Sequence, residues 1–310
     1  MKVAMIGAGS MAREHLKAFH DVPNSTLAGI HSRTRDKAEA LSRELKAGIV
    51  CDSIPELYEK TRADLVIVAV PELSANSVAH ACFEFPWTVL MEKPAGYNLA
   101  DATDIAEASW KKKRRVFVGL NRRFLSSTQA VLKDIAERSG PRIVQVFDQQ
   151  DLSLAKSIGH PEKVVENWMY ANSIHLIDYL RVLGRGKVSA VRPLFSWNNG
   201  AEPIVAAGID FESGDKGIYQ CVWGAPGPWA VNVTTATRRW EMRPLEQAAF
   251  QNAGERKLHA IETHAWDRDF KPGFRLQAEK VAAAISGLPS DVPTIRDALE
   301  TMRLIASIYG

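Results

Sequence analysis

The sequence predicts an α/β chain in two parts. Residues 1–120 read as a doubly wound parallel sheet, and residues 121–310 as a second α/β domain with an open, mainly antiparallel sheet. Three observations carry this. Up to about Leu120, short apolar runs alternate with amphipathic stretches, the mark of β-α-β units. Beyond Leu120, apolar runs follow one another with only turn residues between them, which favours antiparallel pairing. A glycine pattern at Gly7, Gly9 and Ala12 joins the first strand to the first helix. At roughly 100–200 residues per domain, a chain of 310 residues accommodates two cores.

The first strand is the apolar run Val3-Ala4-Met5-Ile6, continuous as expected of a strand buried on both faces. Gly7, Gly9 and Ala12 follow at G-x-G-x-x-G/A spacing, and a helix is predicted from Ser10 to about Phe19. Gly7 permits the tight turn, Gly9 lets backbone approach a pyrophosphate, and Ala12 lets helix pack on strand. The N–H groups around Ser10 and Met11 at the helix start face the phosphates. Dinucleotide binding is therefore the expectation for Gly7, Gly9, Ser10 and Met11. Further strands are predicted near 27–31, 64–70, 88–91 and 116–119, with helices near 36–46, 74–83 and 99–111. The second strand leads into His31-Ser32-Arg33, where an NAD site would carry an acidic residue for the ribose 2′-hydroxyl. Ser32 beside Arg33 suits the 2′-phosphate of NADP instead. NADP is the cofactor expected on this contact, and NAD the alternative.

The run Lys111–Arg115 lies between a predicted helix and strand, where a solvated loop is the expectation. In the second part, a helix near 127–138 precedes Gly140-Pro141 and a strand at 142–148. A helix near 172–183 ends at Gly184. Strands then follow near 188–196, 204–211, 216–223, 229–236 and 238–242, punctuated by Gly214-Asp215 and the segment Gly224–Pro228. Helices near 275–286 and 295–309 close the chain.

Hydrophobic residues make up 46% and charged residues 24%, an ordinary globular composition. The formal charge of +3 creates no global field for nucleic acid or an acidic membrane surface. No apolar run approaches the ~18 residues of a membrane span, and the first strand begins at Lys2 without room for a signal peptide. Cys51, Cys82 and Cys221 are odd in number and lack C-x-x-C spacing, so they read as reduced core thiols of a cytoplasmic protein. No His, Cys or carboxylate cluster has metal-ligand spacing, and no G-x-S-x-G elbow occurs.

Two constellations are candidates for chemistry. Met91-Glu92-Lys93-Pro94 follows a buried-type strand, and strand C-terminal ends line the ligand crevice of a doubly wound sheet. A partly desolvated lysine there exchanges protons with a hydroxyl or carbonyl; a surface Glu-Lys pair is the alternative. The second is the helix at 171–180, where His175 and Asp178, three residues apart, can meet. Such a pair orients an imidazole for acid–base work near neutral pH, or is a core hydrogen bond. Trp168, Trp223 and Trp229 can stack on a sugar ring, with core packing the default for each.

GAGSMA at the first turn, EKPAG around Lys93, VGLNRRF at 118–124 and the SIHLIDYL helix together give a resemblance over essentially the whole length. Pro244-Leu245-Glu246 and Phe274-Arg275-Leu276-Gln277 add to it. The chain resembles the glucose–fructose oxidoreductase / inositol dehydrogenase (Gfo/Idh/MocA) family of NAD(P)-dependent oxidoreductases. The resemblance implies a Rossmann domain over residues 1–120 and a C-terminal domain over 121–310 for substrate binding and oligomerisation, in a homodimer or homotetramer. It also implies hydride transfer between NAD(P) and a secondary alcohol or ketone of a small-molecule carbohydrate, a nucleotide sugar among the options. By the same resemblance Glu92 contacts the nicotinamide ribose, Lys93 hydrogen-bonds the reacting oxygen and His175 is the acid or base. Arg122, Arg123 and Asn172 are the substrate-binding candidates.

One position departs from the family. Sugar dehydrogenases of this kind commonly carry Asp four residues before the histidine, and this chain has Ala171. That favours one alternative to a sugar dehydrogenase, a catalytically impaired, cofactor-binding regulatory protein; a glycosidase that uses its nicotinamide for transient oxidation and elimination is a third option.

Overall fold

The computed structural model describes residues 1–198 and 203–310. The chain divides into two compact units, Met1–Asn121 with Trp266–Leu299, and Arg122–Ala265 with Glu300–Gly310.

The first unit is built on six parallel strands, β1 (Lys2–Ile6), β2 (Thr26–His31), β3 (Ile49–Cys51), β4 (Leu65–Val68), β5 (Thr88–Met91) and β6 (Val116–Val118). Their order is β3-β2-β1-β4-β5-β6, so the winding reverses at β1 and β4. Five helices connect them: α1 (Ser10–His20), α2 (Arg35–Leu45), α3 (Ile54–Thr61), α4 (Glu72–Phe83) and α5 (Leu99–Lys111). Val3–Ile6, Leu65–Val68, Val89–Met91 and Val116–Val118 are buried throughout, as helices on both sheet faces require. The doubly wound parallel sheet is as the sequence predicts.

β3 and α3 were not among the elements predicted. β3 has only three residues, too few to display a period. α3 carries a start signal that the pattern of apolar runs overlooks. The Ser53 hydroxyl accepts the Glu56 N–H, while the Glu56 carboxylate accepts the Asp52 N–H at 2.6 Å, a close variant of the capping box.

The second unit is built on eight strands. They are β7 (Ile143–Gln150), β8 (Val188–Phe195), β9 (Ile204–Phe211), β10 (Lys216–Trp223), β11 (Ala230–Thr234), β12 (Arg238–Met242), β13 (Ala248–Asn252) and β14 (His259–Ala260). The order is β14-β13-β12-β11-β7-β10-β9-β8. Burial alternates along β7 and β10, so one face is packed and the other open. Every pairing is antiparallel except β7 with β10, which makes the sheet mixed. The physical reason is the connection. β7 leads through α7 (Leu152–Ser157), α8 (Glu162–Val165), a π turn (Met169–Ser173) and α9 (Ile174–Leu183) to edge strand β8, and the antiparallel steps β8–β9 and β9–β10 then bring β10 back parallel to β7. α6 (Ser126–Ala136) precedes β7, and α10 (Ala265–Asp269), α11 (Phe274–Ile285) and α12 (Ile295–Tyr309) complete the chain.

Trp266–Leu299 belongs to the first unit although it follows the whole eight-stranded sheet in sequence. The Phe274 ring lies 4.7 Å from the His15 ring of α1, and the Pro293 carbonyl accepts the Val118 N–H at 2.9 Å beside edge strand β6. Phe274, Ala278, Val281 and Ala284 are buried.

Candidate functional site

In the first unit the turn from β1 to α1 is shaped by two glycines under different constraints. Gly7 has φ +115°, and a Cβ there would lie 2.0 Å from the Ala69 carbonyl oxygen, so only glycine fits. Gly9 has φ −88°, and a Cβ there would meet nothing within 4 Å. Space therefore stands open over Gly9, at the start of α1. Among the described residues no side chain caps α1, and its first turn holds no acidic residue. Free N–H groups, the positive end of the helix dipole and open space together fit the pyrophosphate of a dinucleotide.

At the end of β2, Ser32 is half-buried and Arg33 is exposed. The Ser32 hydroxyl accepts the Thr34 N–H at 3.3 Å. Two arginines stand in this stretch, and the structure separates them. Arg35 is held by Glu39 and Asp52, whereas Arg33 makes no ion pair among the described residues.

At the end of β5, Glu92 is held from two sides. The His15 Nε2–H donates to Glu92 Oε1 at 2.6 Å, and the Lys93 backbone N–H donates to Oε2 at 3.1 Å. Burial pushes the Glu92 carboxyl up. The hydrogen bond from His15 and the nearness of His15 and Lys93 outweigh that and hold it below the usual range. The carboxylate is thus ionised at neutral pH and acts only as an acceptor. Lys93 precedes Pro94 through a cis peptide bond.

In the second unit His175 lies on α9, which is buried on nearly all sides, from Ile174 through Leu180 and at Leu183. The sequence allows His175 to meet Asp178; in the structure Arg123 and Thr301 hold Asp178. Arg123 grips its carboxylate with Nε and Nη2 at 2.6 and 2.7 Å, and the Thr301 hydroxyl donates to it at 2.8 Å. Arg123 is therefore an anchor of α9. Arg122 pairs with Glu246, its guanidinium 6.0 Å from the centre of the Trp229 ring. That ring lies 6.4 Å from the His175 ring. Ala171 is buried within the π turn, a helical irregularity frequent at functional sites.

Asn172 and Trp168 both donate to Gln150 Oε1, at 2.8 and 2.9 Å. Gln150 in turn donates to Asp148 Oδ1 at 2.7 Å, and the Tyr219 hydroxyl donates to Asp148 Oδ2 at 2.8 Å. Burial pushes the Asp148 carboxyl up to about 6, against the pull of the hydrogen bonds from Tyr219, Gln150 and the Gln149 N–H. A cavity of about 410 Å³ is lined by Glu162, Glu166, Met169, Trp197 and Trp223, among others. The Trp197 and Trp223 rings lie 4.4 Å apart beside it.

His15, Asp148 and Gln150 are the polar residues around these groups that sequence reasoning missed. A signal existed for His15. It shares the Ala12, Leu16, Phe19 face of α1, where a polar residue is out of place unless it has a partner. Asp148 and Gln150 lie on the buried face of β7, an equivalent signal in period two. Among the described residues no group of three or more His, Cys, Asp or Glu is placed to hold a metal. No helix among them is long and apolar enough to cross a membrane.

Residues 1–120 match the family model GFO_IDH_MocA, an oxidoreductase family with an NAD-binding Rossmann fold. The chain is 24% identical over 182 residues to 4-carboxy-2-hydroxymuconate-6-semialdehyde dehydrogenase of a Sphingobium species, covering 57% of each. It is 27% identical over 137 residues to inositol 2-dehydrogenase of Renibacterium salmoninarum, covering 44% of this chain and 41% of that one. The chain thus spans about half the length of the curated relatives it matches. Among solved structures, levoglucosan dehydrogenase in complex with NADH and levoglucosan superposes with a TM-score of 0.82 at 17% identity, over 99% of this chain and 96% of that one. UDP-N-acetylglucosamine 3-dehydrogenase from Acidithiobacillus ferrooxidans does so with a TM-score of 0.78 at 15% identity, again over 99% and 96%. At these identities the structural likeness speaks for the fold. Over residues 1–120 the chain matches the Gfo/Idh/MocA oxidoreductase family, which is described by an NAD-binding Rossmann fold.

Proposed function

We propose that the protein is an NAD(P)-dependent oxidoreductase that transfers hydride between the nicotinamide and a secondary alcohol or ketone of a carbohydrate. The observation that carries this is the β1–α1 turn, open over Gly9 at an uncapped helix N-terminus, in the same unit as Glu92-Lys93 at the end of β5. The sugar dehydrogenases among the relatives support the substrate class. In this reading Gly7, Gly9, Ser10 and Met11 hold the pyrophosphate, and Glu92 meets the nicotinamide ribose. When bound there, the nicotinamide would supply the hydride chemistry. Lys93 hydrogen-bonds the reacting oxygen, and His175 takes or returns the hydroxyl proton. With Ala171 where the family commonly has Asp, the proton work falls to Lys93 and His175. In the same reading Trp229, whose ring lies 6.4 Å from that of His175, Arg122 beside Trp229, and Asn172 serve substrate binding. The exposed Arg33, beside Ser32 and without a carboxylate, favours NADP over NAD.

A cytoplasmic homodimer or homotetramer is proposed with it. Exposed Leu194, Phe195, Ile204 and Ile218 on β8, β9 and β10 supply apolar surface for self-association.

The test is a fluorescence titration with NADPH and NADH, followed by turnover on a panel of sugars and ketosugars. NADPH is expected to bind the more tightly, and Arg33→Ala to narrow the gap where Arg35→Ala does not. Lys93→Ala is expected to lower kcat by roughly 10²–10⁴-fold, the range for loss of an acid–base group. Turnover that survives Lys93→Ala unchanged would sink the mechanism. Tight cofactor binding without turnover on any sugar would favour the regulatory reading that Ala171 suggests.

A further inference from the structure

His15 is a histidine in a hydrophobic setting, 1% exposed, on the helix whose N-terminus is the proposed phosphate site. Its ring packs 4.7 Å from Phe274, and its Nε2–H donates to Glu92 Oε1 at 2.6 Å. The carboxylate it holds has little freedom left. Oε2 accepts the Lys93 N–H, and on the other side a Cβ added at Gly119 would come within 3.3 Å of Oε1. Glu92 therefore sits in a slot between His15 and Gly119, one residue before Lys93. An ionised carboxylate accepts hydrogen bonds and donates none, so the shared proton resides on His15.

We infer that His15 is a positioning residue, which fixes the Glu92 carboxylate and through it the backbone of Lys93. The inference rests on the oxidoreductase reading for its catalytic consequence, though not for its geometry. α1 carries the phosphate-binding turn at one end and, from its buried face, holds the end of β5. A cofactor seated on α1 thus meets a Lys93 already set in place, as preorganised catalysis needs. A histidine that merely fills the core would stabilise the fold without setting where Lys93 sits.

His15→Leu, His15→Gln and Glu92→Gln separate these roles in the full-length chain. The first readout needs no activity: the backbone amide resonance of Lys93, whose N–H bonds the carboxylate that His15 holds. It is expected to move in His15→Leu and to return towards its wild-type position in His15→Gln, which retains an N–H donor. The second readout is the kinetic split. His15→Leu is expected to lower kcat roughly 10- to 100-fold, the scale of an ångström-level misplacement, with KM for the cofactor little changed. His15→Gln is expected to recover most of that loss. If His15→Leu does not fold, Glu92→Gln, which keeps the side chain's shape, must shift the Lys93 resonance by itself. An unmoved Lys93 amide in a folded His15→Leu or Glu92→Gln, or a Gln variant no better than Leu, overturns the inference. If the wild-type chain turns over no sugar, the function proposed above fails, and the resonance still decides the positioning.

Discussion

At Gly7 a Cβ would collide with the Ala69 carbonyl; at Gly9 it would enter open space. Gly7 is therefore required by the fold, and under the proposed function Gly9 serves the ligand. Gly7→Ala is expected to destabilise the chain by roughly 2–4 kcal/mol, from a positive φ and a backbone clash together. Gly9→Ala is expected to leave the melting temperature within a degree or two, on the scale of an uncrowded surface change, and to weaken dinucleotide binding. Thermal melts beside cofactor titrations check both; equal stability losses at the two positions would contradict the division. Asp148 makes a prediction of another kind. Its folded carboxyl titrates near 6, above its ordinary value of 3.8. The folded state therefore holds the proton more tightly, and the stability this contributes is present below about pH 4 and lost as pH rises through 6. Relative to Asp148→Asn, the wild type should lose on the order of 2–3 kcal/mol between pH 4 and 7. Denaturant unfolding across that range measures it, and a pH-independent difference would refute it.

At the scale of elements, buried ion pairs hold the connections of the second unit. Asp215, in the turn between β9 and β10, accepts the N–H groups of Arg142 at 2.9 Å and Arg185 at 3.0 Å. It also receives the Arg185 guanidinium at 2.6 Å. Burial works to raise its carboxyl, yet Arg185 and these N–H groups hold it at about 2. A depressed folded value means the stability is present above about pH 4 and lost as pH falls towards 2. Asp215→Ala removes the carboxylate that satisfies those backbone groups. It should cost roughly 3 kcal/mol, read as a lower denaturation midpoint with an unchanged m-value. Cofactor affinity is expected to hold, since Asp215 lies in the unit without the glycine turn. On α9, bidentate Arg123 and Thr301 hold Asp178, which lies one turn along from His175.

At the scale of the whole molecule, the first unit is closed by chain that arrives late. Trp266–Leu299 brings Phe274 onto His15 and Pro293 onto β6, so residues 1–121 alone leave that face uncovered. Phe274, Ala278, Val281 and Ala284 bury apolar surface worth roughly 5 kcal/mol, a large share of the stability of a domain. A fragment ending at Asn121 is expected to melt lower and less cooperatively than the full chain by circular dichroism. A fragment that melts like the full chain would show that α11 is dispensable to this unit.

What the sequence determined by itself is what local physics encodes. Continuous apolar strands, the Gly7-x-Gly9 turn and the Glu92-Lys93 strand end follow from steric limits and hydrophobic period over a few residues. β3 was too short to show a period, and the amphipathic pattern behind the cap of α3, Ile54, Leu57 and Tyr58, spans only a helix of eight residues. Tertiary structure alone decided the rest. It decided that β7 lies parallel to β10, because the helical crossover sets the chain down at the far edge strand β8, and two antiparallel steps from there bring β10 beside β7. It decided that Asp178 goes to Arg123, 55 residues away, and Glu92 to His15, 77 residues away. Partners so distant leave no local trace: which carboxylate meets which donor is settled by desolvation, when burial penalises any charge left unpaired.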